Sequence, residues 1–403
     1  VPQRRARSSR AMIGVAATCV LAAFVTLGLA ISHGADVEVA VAERATEPPQ
    51  TPVPGTLPDP VPQAADEPAP DRGSDPQPEP GAAAGPTGNG GARPDRTVDR
   101  EPPTAAESGP RGGRERLVVH HVGDVNLDPD VVTSLRTLGY DAVWDGARDT
   151  FAEADLVLAN LECAPTRGGV PQPKQFLFRC ELDALPAMRE AGVDVVTLAN
   201  NHSGDFGVPA MVEGVTNVEA AGMVAVGVGA DEAEAYAPRV VEVNGWRIAI
   251  LGFGGVVPTP EWTARGELPG QATGYDPDRM AEAVAAAHAD ADLVIATVHW
   301  GTEGALEPRP EDRPKARAMI AAGADVVFGH HAHRLQPLEV VDGAPVFWNL
   351  GNFVWPRLSQ ASATTAVAEW IVEPDGTVTS CLLPAEIDVR GVPAPTGEPR
   401  RCQ

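Results

Sequence analysis

Beyond residue 116 the chain reads as short apolar runs separated by amphipathic stretches, the pattern of an α/β fold. Apolar runs bounded by turn-forming residues predict strands over 117–123, 155–160, 194–199, 224–228, 239–243, 247–253, 293–298, 325–328, 338–341, 345–349, 366–372 and 377–383. Apolar positions at helical spacing predict helices over 131–138, 182–191, 208–221, 278–289 and 311–322. Gly192, Gly222 and Gly323 follow three of them directly, as helix ends prefer. The last strands read as hairpins, so a pair of mixed sheets is expected, and no internal repeat is evident.

The first 116 residues follow other rules. Ala11–Ser32 is an uncharged, largely apolar run of 22 residues preceded by Arg4, Arg5, Arg7 and Arg10. That length spans a bilayer, and flanking arginines stay cytoplasmic, which predicts a single-pass anchor with everything after it outside the cell. The small residues Ala40-Val41-Ala42 offer an alternative, cleavage and secretion. Residues 35–116 contain no Phe, Trp, Tyr, Ile or Met and a single Leu, Leu57. Such a segment buries too little apolar surface to offset its ordering entropy, so a disordered Pro-, Gly- and Ala-rich linker is expected. If flexible it reaches roughly 50 Å. The expected organisation is an anchor or signal segment over 1–34, the linker over 35–116, one domain over 117–390 and a tail over 391–403.

Charge narrows the partners. Residues 117–403 carry 19 Lys or Arg against 40 Asp or Glu, a net of −21. No nucleic acid partner is expected of so acidic a surface, and membrane contact is expected through the N-terminal run alone. An anionic substrate then needs a metal centre or a local basic cluster. Outside the anchor stand four cysteines, Cys163, Cys180, Cys381 and Cys402, an even number suited to an oxidising compartment. Proximity in sequence suggests Cys163 with Cys180 and Cys381 with Cys402, although three connectivities are open.

The candidate chemistry collects just after five apolar runs: Asp124 and Asn126; Asn160 and Glu162; Asn200, Asn201, His202 and Asp205; His299 and Glu303; His330, His331 and His333. The carboxyl ends of parallel strands share one rim, where ligands bind. Carboxylates, amide oxygens and imidazoles without thiols suit hard or borderline divalent ions, one or two of them, with Mn, Fe and Zn not distinguished. Two ions clamping a tetrahedral centre suit a phosphoester substrate.

Gly123-Asp124, Asn160-Leu161-Glu162, Ala199-Asn-Asn-His-Ser-Gly-Asp-Phe-Gly207, His299-Trp-Gly-Thr-Glu303, Gly329-His-His-Ala-His-Arg-Leu-Gln-Pro337 and Leu350-Gly-Asn-Phe353 together resemble the motif set of the bacterial capsule synthesis protein CapA family, associated with poly-gamma-glutamate. That family in turn resembles the calcineurin-like metallophosphoesterases. The resemblance implies a metallophosphatase-like four-layer α/β/β/α sandwich with mixed sheets, and a role in polyglutamate capsule or envelope polymer biosynthesis. It implies metal ligation by Asp124, Asn126, Glu162, Asn201, His299, His331 and His333, with His202 acting on the substrate as acid or charge stabiliser. Asn126 stands where the superfamily has His, and Glu162 where it has Asp. Two activities fit: a metal-dependent, phosphoesterase-like hydrolase, or a non-catalytic metal-bearing subunit that binds the anionic polymer beside a membrane synthase complex.

The remaining candidates carry plainer alternatives. Asn160, Asn200, Asp205, His330 and Asn352 support ligands or contact substrate, Asn200 or Asn201 alternatively capping the helix that begins near Val208. Glu303 either supports a ligand or faces the substrate. Lys174 and Arg179 are the candidate basic residues for an anion, or else part of a solvated loop. His120 and His121 lie on opposite faces of the first strand and are expected to pack.

Overall fold

The structure is a computed structural model and describes residues 113–403, all within the compact unit Ala92–Gln403. The expected anchor, and the expected linker up to residue 112, lie outside the described residues. Among the described residues no helix is long and apolar enough to cross a membrane.

β1 (Leu117–Val125), β2 (Leu156–Leu161), β3 (Val195–Thr197) and β4 (Val224–Val226) lie side by side in parallel. The chain leaves this sheet through β5 (Val228–Gly229), and β6 (Arg239–Val243) and β7 (Trp246–Gly254) open a second sheet as an antiparallel hairpin. β8 (Gly270–Gln271) turns back to pair with β5, while β9 (Leu293–His299) and β10 (Val326–His330) continue the second sheet parallel to β7. β11 (Leu338–Val341) and β12 (Ala344–Phe347) complete it in the order β11-β12-β10-β9-β7-β6. The chain then returns to the first sheet. β13 (Asn352–Val354) runs parallel to the end of β1, β14 (Thr364–Val372) pairs antiparallel along its start, and β15 (Val378–Ile387), β16 (Pro393–Pro395) and β17 (Arg401–Cys402) extend that edge.

Alternation along the strands sorts side chains into layers. Leu117 and Val119 of β1 join Leu293 and Ile295 of β9 in the core between the sheets. Val118 and Val122 instead face an outer layer holding Met188, Met211 and Val218 of the helices Leu185–Glu190 and Val208–Ala220. Val294, Ala296 and Val298 face the other outer layer, with Met280, Val284 and Met319 of Pro277–Asp290 and Asp312–Ala321. The fold is the expected four-layer α/β/β/α sandwich with mixed sheets.

Several boundaries move for physical reasons. The helix expected over 131–138 shrinks to Ser134–Thr137, preceded by a turn in which the amides of Val131 and Val132 share the carbonyl of Asp128. The strand expected over 224–228 breaks at Gly227, whose φ of 86° lets β5 leave the first sheet. The segment 391–403, expected as a tail, adds β16 and β17 to the sheet instead. The last linker residues also dock: Glu115 bonds Asn244 through its amide and Trp246 through its carbonyl, and Arg114 pairs with Asp292. Both suggested disulfides are present, Cys163–Cys180 and Cys381–Cys402.

At the rim the chain leaving the neighbouring strands β9 and β12 leaves no room for a side chain at Gly329. A Cβ there would lie 1.9 Å from the carbonyl oxygen of Trp348 and 2.6 Å from Trp300 Nε1. Gly329→Ala is therefore expected to lower stability by roughly 3 kcal/mol, read as a shifted denaturant midpoint at unchanged slope. A midpoint equal to that of the native protein would contradict this packing.

Candidate metal centre

β1, β2 and β3 run parallel in one sheet, β9 and β10 in the other, and their carboxyl ends meet on one rim. β1 delivers Asp124, the turn after β2 delivers Glu162, and β9 ends on His299, all three essentially fully buried. β13 sets Asn352 directly beside Asp124. The loop after β10 reverses sharply: His331 and His333 adopt φ of 89° and 53°, left-handed conformations that side chains other than Gly adopt at a cost of order 1 kcal/mol each. This places His333 Nδ1 at 3.1 Å from Asp124 Oδ2 and 2.8 Å from Asn352 Oδ1.

Around these groups the amides form a frame. Asn160 Nδ2 donates to Asp124 Oδ1 at 2.8 Å and lies 3.2 Å from His299 Nδ1. Asn200 donates to Asn160 Oδ1 and to the Leu161 carbonyl, while its own Oδ1 accepts the amides of His202 and Ser203. It thus caps this turn and not the following helix. Asn201 Oδ1 sits 2.7 Å from His299 Nε2, which also lies 3.4 Å from Glu162 Oε1. His330 stands behind, with Nδ1 3.4 Å from Asp124 Oδ1, and its ring lies 4.8 Å from that of His121. His120 pairs with Glu369 on the opposite face of β1.

A second group adjoins the first. His202 Nδ1 lies 2.7 Å from Asp205 Oδ2, which also accepts the Phe178 amide, and the Phe178 ring stacks on His202 at 4.1 Å. Lys174 bonds the other oxygen of Asp205 and the Asn201 carbonyl, with Nζ 3.3 Å from His202 Nδ1. The Cys163–Cys180 bridge closes the loop that carries Lys174 and Phe178 here.

Asn126 and Arg179 remain to be placed. Asn126 Oδ1 accepts the Asp128 amide at 2.8 Å, and its buried Nδ2 has no partner. Its Oδ1 keeps a second lone pair, so the side chain can still offer an oxygen to a cation. Arg179 turns its guanidinium to the Thr166 and Gly168 carbonyls and over the Phe206 ring, so it braces the disulfide loop. Sequence reasoning did not single out Asp128, which accepts the amides of Asp130 and Arg179. Nor did it pair Trp355 with His333, whose rings lie 4.7 Å apart. The Asn-x-Asp spacing of 126 and 128 was the available signal for the first; nothing local signals the second.

The donors fit a divalent cation. Three sets of ligand atoms each lie within 4.8 Å of one another: Glu162, His299 and His331; Asp124, Glu162 and His333; and Glu303, His331 and His333. Glu162 Oε1 and His331 Nδ1 are buried without any hydrogen-bond partner in the protein, as expected of atoms meant for an ion. Burial pushes Glu162 well above the usual carboxylate range, reinforced by Asp124 and Glu303. Burial acts the same way on Asp124, but bonds from His330 and His333 outweigh it and hold Asp124 well below its ordinary value. Burial, then His331, lowers His299; burial, then His333, lowers His331 to about 4. Neutral imidazoles are the form that binds metal.

Fold and site together define a class: a four-layer sandwich carrying, on its strand-end rim, a cleft of His, Asn and carboxylate groups that could hold a cation. The chain belongs to the family described as bacterial capsule synthesis protein PGA_cap, which it matches over residues 118–357, and the CapA resemblance of its motifs is thereby borne out. It is 29% identical to the PGA biosynthesis protein CapA of Bacillus subtilis, over 68% of this chain and 72% of that one. It is 33% identical to a probable polyglutamine synthesis accessory protein of Mycobacterium tuberculosis, over 50% and 55% of the two chains. Among solved structures, TT1561 of Thermus thermophilus aligns at 13% identity with a TM-score of 0.37, covering 67% of this chain and 98% of that one.

The raised Glu162 has a pH consequence. A cation binds the deprotonated carboxylate, so affinity should rise with pH up to the raised value, about ten-fold per unit for one displaced proton. In the metal-free protein the sign is opposite to that of an ordinary paired carboxylate. The unfolded chain gives up this proton more readily, so stability falls as pH climbs from the usual carboxylate range through the raised value. Calorimetry in buffers of different ionisation enthalpy should show proton release on metal binding, and Glu162→Gln should lose most of the affinity and reduce the release by the Glu162 proton, leaving any contribution of His333, whose pKa is raised.

Proposed function

We propose that this protein is a metal-dependent, phosphoesterase-like hydrolase of the cell envelope, acting in polyglutamate capsule or related polymer biosynthesis. The observation that carries the reading is the buried convergence of Asp124, Glu162, His299, His331 and His333 beside the His202–Asp205 pair. A bound divalent ion supplies Lewis acidity and lowers the pKa of a water. Asp124, Glu162, Asn201, His299, His331 and His333 would hold it.

The other residues handle protons and position. With its Nδ1 proton donated to Asp205, His202 presents a bare Nε2. Burial keeps it below its ordinary pKa against the pull of Asp205, so it starts neutral. To protonate a leaving group it must therefore first take up a proton from solvent at Nε2, which refines the expectation that it acts as an acid. Asp205 fixes the tautomer and Phe178 the ring plane. Lys174, tied to Asp205, braces this pair and is not a free cation for substrate.

The names of the relatives support the biosynthetic setting. An envelope location rests on that setting and on Ala11–Ser32 as a membrane anchor, with cleavage and secretion the alternative. A second reading, a non-catalytic polymer-binding subunit beside a membrane synthase, rests on the same donor set, which would hold a cation for a polymer's carboxylates as well as for a phosphoester.

Substitution separates the two. His333→Ala is expected to lose metal and aryl phosphate hydrolysis together. His202→Ala and Asp205→Asn should keep the metal but slow turnover by roughly 10²- to 10⁴-fold. Retention of turnover by both His333→Ala and His202→Ala would exclude the mechanism. Metal-dependent binding of oligoglutamate without any product would favour the second reading.

A further inference from the structure

The three ligand sets compete, and the competition assigns Glu303 a role. A neutral imidazole has one lone pair and holds one cation at a time, whereas a carboxylate has two oxygens and can bridge. Glu162–His299–His331 and Asp124–Glu162–His333 share only Glu162, so both positions can be filled together. Glu303–His331–His333 shares a histidine with each of them. It can be filled only while the two inner positions are incomplete.

The surroundings of the third set match a temporary position. Glu303 is exposed, and among the described residues no hydrogen bond or ion pair holds its carboxylate. His333 is partly exposed, whereas Asp124, Glu162 and His299 are sealed beneath it. His333 Nδ1 is engaged by Asp124 and Asn352, leaving Nε2 as the atom it offers, 3.8 Å from Glu162 Oε1. His331 Nδ1 is buried without a partner. The same two imidazoles can thus face a mouth carboxylate or the buried ones.

We propose that Glu303, with His331 and His333, forms an entry position that captures a divalent cation at the mouth and passes it to the Glu162-bridged positions beneath. This rests on the cleft being a metal centre and not on the reaction it performs. Once both inner ions are seated, His331 and His333 are committed and Glu303 is released to solvent.

The test is the kinetics of cobalt(II) uptake by the metal-free full chain, followed by the ion's visible absorption in a stopped-flow instrument. The native protein should show an early species that converts to the final spectrum. In Glu303→Gln that species should vanish and loading should slow roughly ten-fold at low ionic strength, with the cobalt bound at equilibrium unchanged. Glu303→Asp should recover part of the early phase, and matching circular dichroism checks that the variants fold. Equal loading rates would overturn the proposal. So would fewer ions at equilibrium in Glu303→Gln, which would make Glu303 a permanent ligand. A slower rate abolished by salt, with no early species in either protein, would reduce Glu303 to electrostatic attraction and also overturn it. Absence of cobalt uptake by the native protein would overturn it together with the metal reading, whereas uptake without aryl phosphate turnover would sink the hydrolase alone.

Discussion

Two carboxylates, Asp124 and Glu162, are buried at the rim of the sandwich with only imidazoles and amides around them. Removing a carboxylate from water without a paired cation is costly, and a protein responds by protonating it, hydrogen-bonding it or supplying positive charge. Asp124 takes the second route, through Asn160, His330, His333 and the amide of His331. Glu162 takes the first, its proton retained by burial. The nearest ammonium, on Lys174, is committed to Asp205. A divalent ion resolves what neither route does, since it compensates both carboxylates and uses the unpartnered Glu162 Oε1.

The sandwich sustains this concentration of charge by rigidity. Gly123 and Gly329 let the sheets close on the segment 348–351, because a Cβ at Gly123 would lie 2.0 Å from the Gly351 carbonyl oxygen. Asp124 is bonded at its amide by that same carbonyl, at 2.9 Å, and is paired in register with Asn352. The strained backbone of His331 and His333 then follows from anchoring on both sides. On the other flank the Cys163–Cys180 bridge holds a loop whose contribution is positional: Phe178 against the imidazole of His202, Lys174 against Asp205. Neither residue is near His202 in sequence, and the bridge limits how far either can drift.

Much of this arrangement was legible in the order of residues. Long alternating strands such as β1, β7 and β9 declare their faces through apolar periodicity, so the layers and the shared rim follow from the pattern. The polar residues after those strands could be placed on the rim for the same reason. What stayed hidden depends on contacts between distant segments. β16 and β17 are too short to alternate and exist because β15 offers them an edge. The side of its amide that Asn126 presents depends on the Asp128 amide, and the direction of Arg179 depends on two carbonyls and Phe206. Residue type alone suggested an anion contact at Arg179; geometry assigned it to bracing.

The same facts constrain how an anionic polymer or phosphoester could be held. The described domain is strongly acidic, so a polyanion meets net repulsion until it reaches a local positive centre. The two basic side chains expected to provide one are engaged elsewhere, Lys174 on Asp205 and Arg179 on backbone carbonyls. With His202, His299 and His331 held neutral by burial, these imidazoles do not supply it at neutral pH either, whereas at His333 burial is outweighed by Asp124 and the ring's pKa is raised. Under either proposed reading, the charge that attracts an oxyanion would then come mainly from an ion bound in the cleft. Substrate recognition and metal binding are on this argument a single property of the cleft, shared by the hydrolytic and the polymer-binding readings, and what divides them is whether the His202–Asp205 pair finds a leaving group to protonate.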